Sequence, residues 1–72
     1  MSHEPSLNIR VNGEDRCVDQ GMSIAEMVRF LGQDPTRVAV ERNLEIVPRS
    51  LLADVTIEEG DSFEIVHFVG GG

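Results

Sequence analysis

Residues 23–32, SIAEMVRFLG, carry the clearest structural signal in this chain of 72 residues. Four apolar side chains in this stretch recur with the spacing i, i+3, i+4 and i+7, which places them on one face of an α-helix. They are Ile24, Met27, Val28 and Leu31. We therefore predict a helix over residues 24–31, and we expect Phe30, which lies off the apolar face, to pack at its edge.

Both ends of this stretch carry residues that start or stop helices. Ser23 and Glu26 form a capping box, in which the serine hydroxyl accepts from the third helical amide and the glutamate reaches back to the cap. Gly32 suits a left-handed C-terminal cap, and Asp34-Pro35 prevents continuation. The helix is therefore short and bounded on both sides.

The sequence before the helix predicts a β-hairpin. Residues 7–11 alternate apolar and polar side chains, the period of a half-buried strand. Asn12-Gly13 follows, and this dipeptide readily supplies the positive φ of a two-residue hairpin turn. Residues 16–19 then form the returning strand, which Gly21 ends.

Short elements separated by turn residues follow the helix. They are strands at residues 38–42 and 45–47, a single helical turn at 50–53 and a final strand at 62–69. Asn43 turns the chain between the first two strands, and residues 59–61 turn it before the last. Pro48 ends the second strand and suggests a sheet edge, because proline cannot donate to a ladder.

This order of elements favours one mixed sheet packed on one main helix. Because a helical crossover separates the first and last strands, they can pair in parallel at the centre of the sheet. We predict an α+β chain with the β-grasp, or ubiquitin-like, fold and a mixed sheet of four to five strands. The predicted organisation is a flexible N-terminus at residues 1–6, the β-grasp domain at 7–69 and a flexible glycine tail at 70–72.

The composition of the chain argues against some classes of binding partner. Thirteen acidic residues against six basic ones give a formal net charge of −7, which repels phosphate backbones, so we expect no nucleic-acid partner. No apolar run approaches the roughly 20 residues of a membrane span, so we expect no membrane partner. Cys17 is the one cysteine, which excludes an internal disulfide and fits a reducing compartment. We expect a cytoplasmic protein.

Residue patterns of common catalytic and metal sites are missing. His3 and His67 stand near opposite ends of the chain, and their spacing supports no dyad with Cys17. We expect Cys17 to be a partly buried thiol on a strand and His67 to pack rather than act as a base. No metal-ligand spacing or phosphate-binding loop occurs. We predict no catalytic residue, no metal and no bound cofactor.

The three glycines Gly70, Gly71 and Gly72 are the unusual feature of the sequence. Three extended residues without side chains can enter a narrow channel and reach about 10 Å beyond the last strand. A carboxylate is a poor electrophile until it is adenylated. We therefore expect an enzyme that uses ATP to activate this terminus, with a frayed, functionless tail as the alternative.

Several segments resemble one family. Residues 64–72, EIVHFVGGG, are similar to the ending of the thiamine-biosynthesis sulfur carriers, the ThiS family, and residues 40–49, VERNLEIVPR, resemble its central hairpin. Asn12-Gly13 and the turn at residues 59–61 match as well. The resemblance covers residues 7–72.

The resemblance implies a function for the glycines. Gly72 would be adenylated and then carry a thiocarboxylate, and Gly70, Gly71 and Gly72 would enter partner active sites. The implied partners are a ubiquitin-activator-like adenylyltransferase that uses ATP, a cysteine desulfurase or other sulfur donor, and thiazole synthase. The chain departs from the family at Leu51 and Leu52, where an aromatic residue is common.

The last strand is also predicted to offer a docking surface. If Phe63 and Ile65 face the core, alternation turns Val66 and Phe68 outward beside the tail. We expect Val66, Phe68 and Val69 to contact a partner.

Three other functions remain open at this point. The small subunit of molybdopterin synthase has the same fold and tail, and a covalent protein modifier would attach through Gly72 to lysines of its targets. A noncovalent binding module would use the sheet surface and leave the glycines without a role.

Overall fold

The structure is a computed structural model that describes residues 6–68. Our predictions for residues 1–5, for Val69 and for the three terminal glycines fall outside this range. The predicted limits of the domain and its two flexible ends therefore remain predictions.

The elements in residues 6–68 follow the predicted order. They are β1 (Ser6–Val11), β2 (Glu14–Asp19), α1 (Ile24–Phe30), β3 (Val38–Arg42), β4 (Glu45–Val47) and β5 (Ser62–His67). Two short 3-10 helices, Pro35–Arg37 and Arg49–Leu51, connect them. The second of these corresponds to the helical turn predicted at residues 50–53.

The strands form one sheet in the order β2-β1-β5-β3-β4. The hairpin partners β1 and β2 are antiparallel, as are β3 and β4. At the centre β5 pairs in parallel with β1 and antiparallel with β3. Within the described residues β4, which Pro48 follows, is an edge strand as expected. The topology confirms the predicted β-grasp.

The helix is capped as the sequence predicts. The Ser23 backbone N–H donates to Oε1 of Glu26 over 2.8 Å, and the Glu26 N–H donates to Oγ of Ser23 over 3.0 Å. The helix ends at Phe30, one residue before the predicted end, with Leu31 as its C-terminal cap, and Gly32 follows with φ +87°. The left-handed glycine closes the helix without a steric penalty.

One apolar face of the helix packs against one face of the sheet. The buried side chains of this core are Ile9, Val11, Val18, Ile24, Ala25, Met27, Val28, Val38, Val40, Leu52, Ile57, Phe63 and Ile65. Leu31 and Val55 are half-buried against it. Phe63 and Met27 are fully buried, so the last strand and the helix meet at the centre of the core.

Three sequence-based expectations about burial were wrong. Phe30 does not pack at the edge of the helix face but is 64% exposed, because it ends the last helical turn away from the sheet. Cys17 is exposed, because β2 is an edge strand and Cys17 faces the open side of the sheet opposite Asn8. His67 is also exposed, since it lies at the end of β5 beyond the buried part of the strand.

Candidate functional site

The last strand presents different faces to the core and to solvent. Phe63 is fully buried and Ile65 is 6% exposed, whereas Val66 is 60% exposed and Phe68 is 46% exposed. The alternation follows from the pleat, which sends successive side chains to opposite faces. The outward orientation predicted for Val66 and Phe68 is therefore confirmed, while Val69 falls outside the described residues.

The exposed side chains of β5 belong to a larger apolar surface. Val66 pairs directly with Ala39 of β3, and Ile46 of β4 is 76% exposed on the same face. A shallow groove of about 140 Å³ lies between β4 and the end of β5. We call the surface made by Ala39, Ile46, Pro48, Val66 and Phe68 the outer patch.

Phe68, the last described residue, is held in two ways. Its backbone N–H donates to the carbonyl oxygen of Arg37 over 2.9 Å, which extends the β3–β5 ladder by one bond. The Arg49 guanidinium lies 5.6 Å from the centroid of its ring. Such a cation–π contact contributes about 0.5–1 kcal/mol at an exposed site. These two contacts therefore hold Phe68, the residue from which the chain continues toward Gly72.

Charges border the outer patch on opposite sides. Glu41 and Glu64 pair directly across β3 and β5 on the patch's face. Like charges directly opposite one another destabilise a sheet by a few tenths of a kcal/mol. On the other side the patch is bordered by Arg49. The acidic pair therefore lies toward the middle of β5, and the guanidinium lies beside Phe68.

The opposite end of β5 is fixed by a buried carboxylate. Asp61 is 6% exposed, and its oxygens accept from Nε of Arg42 over 2.9 Å, from Nδ2 of Asn43 over 3.1 Å and from the Glu58 N–H over 2.9 Å. Burial opposes ionisation of Asp61, but these donors outweigh it and hold the pKa of the carboxyl below its usual value. This network joins the turn before β5 to the β3–β4 hairpin.

The contact of Arg49 with Phe68 and the hydrogen bonds around Asp61 were not predicted from the sequence. Arg49 meets Phe68 because β4 and the following 3-10 helix return the chain along β3. No local pattern reports such a contact between residues far apart in sequence. The sequence does carry signals for the two strands concerned, namely the alternation of apolar residues in β5 and the proline after β4. These signals predict the strands but not the contact between Arg49 and Phe68.

The structure does not bring the potential nucleophile and base together. Cys17 lies on β2 opposite Asn8, His67 lies on β5 opposite Val38, and β1 lies between the two strands. The Cys17 thiol donates to Oδ1 of Asn8 over 3.3 Å. Among residues 6–68, no group of three or more His, Cys, Asp or Glu side chains is arranged to hold a metal. In the same stretch, no helix has the length and apolar composition needed to span a bilayer.

Gly70, Gly71 and Gly72 fall outside the described residues, so the role predicted for them stays a prediction. The described residues show what surrounds Phe68, from which the chain continues toward these glycines. An exposed apolar patch includes Val66 of the last strand, and Phe68, directly after that strand, contacts Arg37 and Arg49. Such an arrangement presents an apolar surface to which a partner can bind.

Comparison with known proteins identifies the family. The model of the ThiS family matches residues 9–72. The sulfur carrier protein ThiS of Bacillus subtilis is 51% identical over 65 residues, which are 89% of this chain and 98% of that protein. The crystal structure of the thiamine biosynthesis protein ThiS of Geobacter metallireducens has a TM-score of 0.75 at 32% identity, over 92% of this chain and 100% of that one.

A longer relative places a similar segment in a different context. A thiazole synthase of Paramagnetospirillum magneticum is 47% identical over 66 residues, or 92% of this chain. This chain spans only 20% of the length of that protein. The family model covers most of the chain, and the Bacillus relative is matched almost end to end. The chain therefore belongs to the ThiS family.

Proposed function

We propose that this chain is a sulfur carrier of thiamine biosynthesis and that its reactive group is the carboxylate of Gly72. The observation that carries this proposal is the match to the ThiS family over residues 9–72, which include the last strand and Gly72. The chain acts as a protein substrate in this proposal, and its partners supply the catalytic groups.

The proposed chemistry has two steps at Gly72. A carboxylate oxygen attacks the α-phosphorus of ATP in the adenylyltransferase, and pyrophosphate leaves. A sulfur nucleophile from a cysteine desulfurase or another donor then attacks the acyl carbon, and AMP leaves with the bonding electrons. Sulfide gives the thiocarboxylate directly, whereas a persulfide gives an acyl disulfide, whose S–S bond a thiol cleaves while that thiol is oxidised to a disulfide. The product is a thiocarboxylate, from which thiazole synthase takes sulfur. Glycine suits this terminus because it lacks a side chain that would obstruct a narrow channel.

The outer patch is the proposed docking surface for the adenylyltransferase. Its exposed apolar side chains lie beside the root of the tail, and Phe68 is the aromatic residue among them. Aromatic side chains often dominate binding energy at the centre of an interface. Glu41 and Glu64 at its border, together with a net charge of −7, favour a partner surface with basic groups.

Thiazole synthase is the proposed acceptor of the sulfur. Support comes from the Paramagnetospirillum protein of that name, in which a segment 47% identical to this chain accounts for 20% of the length. Joining two partners in one polypeptide raises their effective concentration to the millimolar range. The cytoplasmic location remains a prediction.

Mass spectrometry of the intact protein tests the chemistry. Incubation with ATP, a sulfur source and the adenylyltransferase that acts on a ThiS protein should replace one oxygen by sulfur, and fragmentation should locate the change on Gly72. A variant that lacks Gly71 and Gly72 is the control and should stay unmodified. An unchanged mass of the full chain, with an enzyme shown to charge Bacillus ThiS, would reject the proposal.

Two exposed phenylalanines provide a matched test of the docking surface. Phe68→Ser should raise the KM of the carrier for adenylation, because it removes the aromatic ring of the outer patch. Phe30→Ser is the control, since Phe30 is 64% exposed at the far end of the helix. Equal KM values for the two variants would exclude the outer patch as the docking surface.

Growth of deletion strains separates the two carrier pathways. Expression of this chain should restore growth without thiamine to a strain that lacks its own ThiS protein. The same chain should not restore molybdenum-cofactor activity to a strain that lacks the small subunit of molybdopterin synthase. The opposite result would favour the molybdopterin alternative.

A further inference from the structure

The β1–β5 ladder continues beyond the end of β1. The two strands pair at Arg10 with Ser62 and at Val11 with Phe63. The backbone N–H of Asn12 then donates to the Phe63 carbonyl oxygen over 2.8 Å. At this point the chain turns through Asn12 and Gly13, both with positive φ, and leaves β5.

The side chain of Asn12 takes the place of the next strand residue. Its Oδ1 accepts from the Ile65 N–H over 2.8 Å, and its Nδ2 donates to the Ile65 carbonyl oxygen over 3.3 Å. One carboxamide thus satisfies both backbone groups of Ile65, as a neighbouring strand would. Both bonds are half-buried, where hydrogen bonds are stronger than in bulk water.

We call the two hydrogen bonds between the Asn12 side chain and Ile65 the clamp. The clamp marks the point up to which β5 is hydrogen-bonded on both of its sides. Through Ile65 the strand has partners on the β1 side and on the β3 side. From Val66 to Phe68 the described bonds come from β3 and Arg37. Among residues 6–68, the Asn12 carboxamide therefore makes the last hydrogen bonds to β5 on the β1 side before the outward-facing residues Val66 and Phe68.

We propose that Asn12 is a positioning residue for the loading of Gly72: by clamping Ile65, it fixes the end of β5 and so the orientation in which the outer patch meets the adenylyltransferase. The inference rests on the proposed function. Without the clamp the strand end samples other orientations, and the affinity for the partner falls with the fraction that can dock. Once docked, the variant and the natural chain present the same carboxylate, so kcat is unaffected.

The chain contains a matched control for this residue. Asn43 occupies the same position in the β3–β4 hairpin, with φ 52° against 51° for Asn12. Its Oδ1 accepts from the Ser62 N–H over 3.0 Å, at the start of β5 rather than near its end. Glycine adopts a positive φ freely, so Asn12→Gly and Asn43→Gly each keep a turn and remove a clamp from the same strand.

Steady-state kinetics of adenylation, followed by pyrophosphate release, test the proposal with the full chain. Asn12→Gly should raise the KM for the carrier by about tenfold, the factor that corresponds to about 1.4 kcal/mol, with kcat unchanged. Asn43→Gly should leave KM unchanged at a temperature where both variants are folded. Amide exchange should show faster exchange at Ile65 in the first variant and at Ser62 in the second.

A third variant guards against loss of folding. Asn12→Asp keeps the turn and the acceptor for the Ile65 N–H but cannot donate to the Ile65 carbonyl oxygen while ionised, so its KM should lie between the other values. An unchanged KM in Asn12→Gly, or an equal rise in Asn43→Gly, would overturn the positioning role. Absence of pyrophosphate release from the natural chain would instead contradict the proposed function, and the exchange measurement would still test the clamp.

Discussion

The two hairpins of the sheet make the same kind of turn with different residues. The first uses Asn12 and Gly13, with φ 51° and 83°, and the second uses Asn43 and Leu44, with φ 52° and 72°. Two successive positive φ values define the type I′ geometry that matches the twist of paired strands. Glycine adopts this conformation freely, whereas an L residue with a Cβ loses about 1–2 kcal/mol. The first turn therefore agrees with local propensity and the second opposes it.

Tertiary contacts explain how the second turn persists. The Asn43 N–H donates to the Ser62 carbonyl oxygen over 2.7 Å, and its side chain bonds both Ser62 and Asp61. Leu44 itself is 89% exposed, so its own side chain contributes little packing. Asn12 makes equivalent bonds to Phe63 and Ile65 in the first hairpin. The hairpins therefore differ in the second turn residue, Gly13 against Leu44, and in the bond from Asn43 to the buried Asp61.

Replacing Asp61 should give the largest effect on the second hairpin. Asp61→Asn removes the charge that pairs with Arg42 over 2.9 Å and disturbs the contacts to Asn43 and Glu58. We expect the free energy of unfolding to fall by about 1–3 kcal/mol, since the half-buried Arg42 guanidinium loses its buried charged partner. Urea unfolding measures this.

A second carboxylate serves as the control for Asp61. Asp15 pairs with Arg10 over 3.3 Å in the first hairpin, but both side chains are largely exposed. Asp15→Asn should therefore leave the urea midpoint nearly unchanged. If both replacements lowered the midpoint equally, the second hairpin would not depend on the buried network.

The contribution of Asp61 should also depend on pH. Because the fold lowers the pKa of this carboxyl, the folded state binds fewer protons than the unfolded state between the two pKa values. The stabilisation is present above the unfolded pKa, about 3.9, and is lost as the pH falls through the lower folded value. The difference in unfolding free energy between the natural chain and Asp61→Asn should shrink in that window.

Unfolding curves taken at several pH values between neutral and acidic conditions test this dependence. A difference that stayed constant, or that grew on acidification, would show that the ionised form of Asp61 is not the form that holds the second hairpin. Asp34, whose pKa is also lowered by bonds from Thr36, is unchanged in both proteins, so its titration cancels in the comparison.

The contrast between the hairpins also shows which features of the fold could be predicted from the sequence. The first turn and the helix were predicted because their signals are local: an Asn-Gly pair, a capping box and apolar residues at helical spacing. Leu44 offered no such signal, since the bonds that hold its turn come from the distant Asp61 and Ser62. Local propensity therefore predicts a relaxed turn and misses the cause of a strained one.

For burial and for the candidate site, too, some features could be predicted from local patterns and others could not. The outward position of Val66 and Phe68 followed from strand alternation, whereas the contact of Arg49 with Phe68 required the path of β4. Cys17 and His67 were placed wrongly because their exposure depends on which strand is an edge and where the helix stops covering the sheet. Periodicity reports which face a residue occupies but not what covers that face.

Replacing the glycine of the first turn by leucine, the residue type found in the second turn, should lower the free energy of unfolding moderately. Gly13→Leu would impose a positive φ on an L residue, and no heavy atom lies within 4 Å of the position of its Cβ. The change therefore isolates the backbone cost, and we expect a loss of about 1–2 kcal/mol of unfolding free energy. Thermal or urea unfolding of the variant provides the measurement. A neutral result would mean that the bonds of Asn12 to Phe63 and Ile65 hold the first turn against the added strain.

The reverse exchange, Leu44→Gly, should have the smallest effect, because two terms oppose one another. Removing the Cβ relieves about 1–2 kcal/mol of strain, but glycine adds about 0.5–1 kcal/mol of backbone entropy to the unfolded chain. The expected net result is a stabilisation of about 0.5–1 kcal/mol, seen as a higher urea midpoint with an unchanged slope. Leu44→Ala separates strain from side-chain exposure, since alanine keeps the Cβ and removes most of the apolar surface. If Leu44→Ala stabilised the protein as much as Leu44→Gly, the exposed side chain rather than the left-handed backbone would distinguish the second hairpin from the first.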